Sequence, residues 1–77
     1  MRKTGMKDAN GNIIYEGAIC SVTRNPLVTS APFSVVWNPR DAAWYWQDGS
    51  AEDYFTESIA ATCEIIGNIE AKGGGQG

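Results

Sequence analysis

Apolar and polar side chains alternate most clearly in two neighbouring runs of the chain. In residues 33–37, Phe33, Val35 and Trp37 stand against Ser34 and Val36, and in residues 43–47, Trp44 and Trp46 stand against Ala43, Tyr45 and Gln47. A period of two with one heavier face predicts a pair of strands. Between them, Asn38-Pro39-Arg40-Asp41-Ala42 supplies chain-reversing residues, with Pro39 suited to the second position of a type I turn and unable to donate to a ladder. The pair therefore reads as a hairpin with a five-residue loop. All three tryptophans lie in it. Because large aromatic side chains bury ~150 to 250 Å² each, Trp37, Trp44 and Trp46 are expected to dominate a small core.

The rest of the chain is arranged around this hairpin. Residues 1–7 show no periodicity, and the first signal is Asn10-Gly11, whose tolerance of positive φ predicts a type I′ hairpin turn with Met6-Lys7 and residues 13–15 as arms. Residues 18–24 read as a strand, with Ala18, Cys20 and Val22 on one side and Ile19 on the other, which implies either a bulge or cover on both faces. Asn25-Pro26 and Pro32 bound a loop in which Leu27 and Val28 are more apolar than a loop requires. These two side chains either fold back onto the domain, add a short pairing or face a partner. Asp48-Gly49 turns the chain, and Ser50 followed three residues later by Asp53 marks a helix start, so one to three helical turns are predicted within residues 51–61 with Phe55 and Ile59 inward. In the last element Cys63, Ile65 and Ile69 share a face, with Gly67 allowing a close approach. The glycine-rich residues 71–77 are expected to be disordered. These five apolar stretches predict an all-β fold: a small, partly open SH3-like barrel of about five strands, with a short helical turn before the last, forming a single domain over residues 1–70.

Length and charge narrow the function classes. With 77 residues, a single core supplies only ~3 to 5 kcal/mol, and a chain this short leaves apolar edges that a second copy would cover. Homo-oligomerisation is therefore expected. A net charge of -3 and a pI near 4.6 argue against nucleic acid as the first-choice partner, since phosphate neutralisation needs clustered Lys and Arg. The charge is unevenly spread. Arg2, Lys3, Lys7, Arg24 and Arg40 against Asp8 and Glu16 leave +3 up to residue 40, whereas Lys72 against Asp41, Asp48, Glu52, Asp53, Glu57, Glu64 and Glu70 leaves -6 beyond it. Met1-Arg2-Lys3 is followed by Thr4 and Gly5 rather than an apolar run, so no signal peptide is read, no span suits a membrane, and a cytoplasmic location is expected. Cys20 and Cys63 are then expected to be reduced, buried small hydrophobes rather than a disulfide.

Candidate chemistry is sparse. The chain has no histidine, so neither cysteine nor any serine has the usual activating base. Asp8, Asn10 and Asn12 echo a calcium loop, but Ile13 stands where glycine is needed and Ile19 where glutamate is needed, so calcium is rejected. Two distant cysteines make no zinc site, and Gly73-Gly74-Gly75 is no phosphate cradle. The carboxylates at Glu52-Asp53 and at Asp41 with Asp48 stand in turn contexts where solvated acids are expected. No metal, cofactor or catalytic residue is assigned, and the chain is not expected to be an enzyme. What remains is aromatic surface: of Tyr15, Tyr45 and Tyr54, one or more is read as exposed beside Arg24 or Arg40, and these side chains either cover the ends of the fold or stack on a single-stranded nucleic acid or sugar. The residues assigned to partner binding are Arg24, Leu27, Val28, Val36, Arg40, Tyr45 and Ile66.

Four stretches carry a resemblance. Thr4-Gly5-Met6-Lys7-Asp8 with Asn10-Gly11, Ile14-Tyr15-Glu16-Gly17 with Ile19, the Val36-Trp37 strand, and Glu64-Ile65-Ile66-Gly67-Asn68-Ile69 together resemble the YopX family of small phage and prophage proteins. The resemblance implies a small β-barrel encoded by a phage or an integrated element in a bacterium, and no established activity. Longer members carry a segment ahead of this region. The tyrosine and Asn-Pro segment that usually follow the Ile-Gly-Asn-Ile motif are replaced here by Glu70-Ala71-Lys72 and glycines, and Ala18 stands where the family tends to have aspartate. The expected function is a non-enzymatic interaction module binding a host or phage protein in the bacterial cytoplasm, with a nucleic-acid-binding barrel as the alternative.

Overall fold

The computed structural model describes residues 2–22 and 31–69. The loop carrying Arg24, Leu27 and Val28 and the tail over residues 71–77 lie outside the described residues. Within them, seven strands and one short helix follow in the order β1 (Lys3–Lys7), β2 (Ile13–Tyr15), β3 (Ala18–Val22), β4 (Phe33–Asn38), β5 (Ala43–Asp48), β6 (Ala51–Tyr54), α1 (Glu57–Ala60) and β7 (Cys63–Asn68). β1 and β2 form a two-stranded sheet, and the other five form a second sheet in the order β6-β5-β4-β3-β7. Every pairing is antiparallel, and the larger sheet does not close. The fold is thus all-β, small and partly open, with seven strands where five were expected.

Of the strands beyond five, β1 was expected only as the short arm Met6-Lys7 and β6 not at all, and neither has the alternation that reveals a strand. β1 pairs Lys3 with Tyr15 and Lys7 with Ile13, so its middle residues bulge out of register and only Met6 is buried. The Thr4 hydroxyl bridges this bulge, donating to the Ile14 carbonyl at 2.8 Å and accepting from the Met6 N–H at 3.0 Å. β6, Ala-Glu-Asp-Tyr, is exposed along its whole length and has no apolar face to detect. Backbone pairing with β5 creates it, with Asp48 opposite Ala51 across the two-residue loop Gly49-Ser50. Gly49 has φ of 63°, as the first position of a type II′ hairpin requires. Ser50 therefore belongs to a hairpin and caps no helix. Helix α1 starts later, with Thr56 as N-cap accepting from the Ile59 N–H at 3.3 Å. The inward residues are those expected, since Phe55 is buried and Ile59 packs against the core.

The central hairpin forms from the predicted arms, but its loop is one residue shorter than the five expected. Asn38 pairs with Ala43, so the loop is four residues long, and the Asn38 side chain holds it by accepting from the Arg40 and Asp41 N–H groups at 2.9 and 3.2 Å. At the first hairpin the turn differs from the expected type. The Gly11 N–H donates to the Asp8 carbonyl at 3.0 Å, and of Asn10 and Gly11 only glycine has positive φ, at 84°. The reversal therefore spans Asp8 to Gly11 and is not a two-residue I′ turn. Asp8 organises it: one carboxylate oxygen accepts from the Asn10 and Asn12 N–H groups at 2.9 and 2.8 Å, and the other accepts from Ile65 of β7 at 3.2 Å. A segment that superficially echoes a cation loop thus uses its acid to tie the small sheet to the large one.

The core consists of Met6, Ile14, Ala18, Cys20, Phe33, Val35, Phe55, Ala60 and Cys63. Ile14, Val35, Cys20 and Cys63 are fully buried, and complete burial of an aliphatic side chain such as Ile14 or Val35 contributes roughly 1.5 to 3 kcal/mol. The tryptophans are not its centre. All three are half-buried; Trp44 and Trp46 pack on the margin, whereas Trp37 stands outside the cluster and meets Trp44 edge-on at 5.1 Å. Rings this large outgrow the covered area of so thin a molecule, and smaller side chains fill its middle. Gly67 also differs from expectation. A Cβ there would meet the Ile19 Cδ1 at 3.8 Å, an ordinary contact, so no close approach demands glycine.

Candidate functional site

Strands β4, β5 and β6 form a meander whose outer face carries a transverse row. Val36 pairs with Tyr45 and Tyr45 pairs with Tyr54, so the pleat sets these three side chains on the face opposite to buried Val35. The two tyrosine rings lie 4.9 Å apart, tilted by 53°. Both hydroxyls donate to one oxygen of Asp41, Tyr45 through a short hydrogen bond and Tyr54 at 3.4 Å. The hydrogen bond to Asp41 raises the Tyr45 phenol well above its ordinary value, with burial and Tyr54 adding in the same direction. A locally determined loop thus places a carboxylate at the end of an aromatic row.

A polar row lies beside it. Ser34, Gln47 and Glu52 are register neighbours, and the Gln47 amide donates to Glu52 at 3.4 Å. Beyond this row a shallow groove of about 230 Å³ is lined by Ile19, Pro32, Phe33, Ser34, Gln47, Asp48, Gly49 and Ile69. Apolar and aromatic side chains therefore alternate with carboxylates across this face.

The assigned partner-binding residues divide into three groups. Val36 and Tyr45 are brought together as cross-strand neighbours. Arg40 is exposed in the β4–β5 loop beside Asp41, but the side chain that engages Tyr45 is Asp41, not an arginine. Ile66 is 54% exposed and lies at the β7 bulge opposite Ile19 and Cys20, with β3 intervening before β4; it is not part of the row. Arg24, Leu27 and Val28 lie outside the described residues. Sequence reasoning missed the Tyr54 and Asp41 contributions to the row. A signal existed: Tyr45 and Tyr54 are symmetric about Gly49-Ser50, so reading that turn as a hairpin would have paired them.

The cysteines take no part in this face. Both are free and buried, as expected. Burial pushes the Cys20 thiol up to about 12, with Cys63 and Asp8 adding to the shift. Burial likewise raises Cys63, whose thiol donates to the Ile59 carbonyl at 3.0 Å. Neither is poised as a thiolate. Among the described residues no group of three or more Cys, Asp or Glu side chains is arranged to hold a metal ion, and no helix is long and apolar enough to cross a membrane.

The family model described as YopX protein matches residues 1–71 of the 77. The chain belongs to the YopX family. The match takes in all seven strands of the described residues together with the whole Val36-Tyr45-Tyr54 row. No curated protein matches it.

Proposed function

We propose that this YopX-family chain is a non-enzymatic interaction module, encoded by a phage or prophage and acting in the bacterial cytoplasm, whose outer sheet face docks a host or phage protein. The observation that carries this reading is the Val36-Tyr45-Tyr54 row, with Tyr54 52% exposed and the polar Ser34-Gln47-Glu52 row lying between it and the Ile19–Ile69 groove. Tyrosine supplies large contact area at low entropic cost, and exposed aromatic surface rimmed by polar groups suits protein recognition. The rim carries Asp41, Asp48 and Glu52, so the complementary surface presents Lys or Arg. An SH3-like arrangement of the larger sheet belongs to the same proposal. Nucleic acid draws less support as a partner, because the Tyr45 ring is flanked by the Asp41 carboxylate, which repels phosphate.

Capture from a host lysate with the tagged chain tests this reading. A defined protein should be retained by the wild type, released as salt is raised, and lost with Tyr54→Ala, a substitution at an exposed position that spares the core. Equal capture by wild type and Tyr54→Ala would remove the outer face from the proposal.

A further inference from the structure

The opposite face of the same hairpin holds a second aromatic arrangement. Trp37 and Trp44 are direct cross-strand partners, and their rings meet at 5.1 Å with an interplanar angle of 66°, forming two walls of a corner. The Arg2 guanidinium carbon occupies this corner, 4.5 Å from the Trp37 ring centre and 5.4 Å from that of Trp44. Both distances fall within the ~6 Å over which an indole face attracts a cation. The backbone of Arg2 is held separately, its carbonyl accepting from the Glu16 N–H at 2.7 Å. Its side chain is therefore a local, replaceable occupant of a corner built by other residues.

We propose that the Trp37–Trp44 corner is a cation-binding cage, filled in the free chain by Arg2 and taking an arginine side chain of the partner protein in its place. Packing alone does not call for two indoles at this position: Trp37 stands outside the core cluster and is half-buried. The fit of a guanidinium is already visible, since a planar guanidinium matches an indole face in a way a strongly hydrated ammonium does not. The cage also lies on the β4–β5 hairpin whose other face carries Val36 and Tyr45. A partner gripping that hairpin meets the tyrosine row on one side and the cage on the other. The arginine occupant rests on the protein-partner reading above, but the cage itself does not.

The test is a titration with the arginine amide cation, with sodium chloride as the ionic-strength control, followed by the three indole N–H resonances. In wild type the Trp37 and Trp44 signals should shift weakly. In Arg2→Ala and Arg2→Gln they should shift saturably at a cation concentration at least about 5-fold lower, because the internal competitor is gone, while Trp46 stays still. Trp37→Leu placed on Arg2→Ala should abolish the Trp44 response, and its dispersed spectrum serves as the folding control. Coincident midpoints in wild type and both Arg2 variants, linear shifts, or shifts shared by Trp46 would overturn the cage. A saturable titration together with Tyr54-independent capture would overturn the outer-face reading alone; the converse pair of results would overturn the cage alone.

Discussion

Asp8 is the one buried charged side chain among the described residues, at 5% exposure, and its carboxylate is used fully. Burial works to raise its pKa, but N–H donors from Asn12, Ile65 and Asn10 outweigh that and leave it below its ordinary value of 3.8. A group whose folded pKa is lowered contributes stability that is fully present above the unfolded value and is lost as pH falls through the folded one. Stability should therefore hold near neutral pH and decline as the medium is acidified below 3.8. Asp8→Asn keeps the shape but exchanges an accepting oxygen for a donor. It should cost about 1.5 to 3 kcal/mol at neutral pH, the usual worth of hydrogen bonds to a charged group, with a flatter acid limb. Urea unfolding of both proteins across the acid range measures this, and parallel curves would show that Asp8 contributes no ionised-state stability. The local half of its role was legible, since Asp8 heads a sequence that reads as a turn. Its bond to Ile65, 57 positions away, was not, because no local pattern encodes which distant strand presents an N–H.

At the scale of elements, the turns show how backbone conformation decides what a side chain costs. Gly49 holds φ of 63° at the tip of the β5–β6 hairpin, with nothing within 4 Å of an added Cβ. Gly49→Ala should therefore destabilise by about 1 to 2 kcal/mol through strain alone. Gly67 lies inside β7, its φ is not positive, and a Cβ there makes an ordinary contact. Gly67→Ala should stabilise by about 0.5 to 1 kcal/mol by restricting the unfolded chain and filling space. Opposite shifts of the urea midpoint are expected, and shifts of the same sign would refute the pairing of causes. The same contrast explains why β6 escaped notice. Its pairing is set by the turn before it and by backbone hydrogen bonds, and neither leaves an apolar period in Ala-Glu-Asp-Tyr. The helix was found within the right interval because Phe55 and Ile59 are spaced to face the core. Its start was misplaced because Ser50 fits a hairpin loop as well as it fits an N-cap.

For the whole molecule, the open sheet leaves surface that a second copy can cover. Ile13, Tyr15, Tyr54, Ile66 and Ile69 are all at least 36% exposed, and edge strand β6 is exposed along its length. Carboxylates guard that edge: Glu52 and Asp53 stand on it, and the Asp53 side chain accepts from the Tyr54 N–H at 2.7 Å, a device that discourages indiscriminate strand addition. The +3 and -6 segments of the sequence favour contacts between the first part of one copy and the second part of another. We therefore expect reversible dimerisation at micromolar concentration, weakened by salt. Sedimentation equilibrium should return a mass approaching twice the 8.3 kDa of the chain. A single species at the chain mass that is unchanged on concentration would end the expectation.

The sequence by itself determined the central hairpin, the reversal at Asn10-Gly11, the turn at Asp48-Gly49, the inward pair Phe55 and Ile59, and the two buried, unpaired cysteines. Each follows from rules that act within a few residues: side-chain period, tolerance of positive φ, and residue size and polarity. The tertiary structure alone decided that β3 pairs with β7, that Asp8 reaches Ile65, that Tyr54 joins Tyr45 at Asp41, and that Trp44 and Trp46 line the margin of the core while Trp37 stands outside it. These outcomes depend on which layer covers which face. That is settled by contacts between segments far apart in the chain, where an alternating pattern says that one face is apolar and nothing about how much of it will be covered.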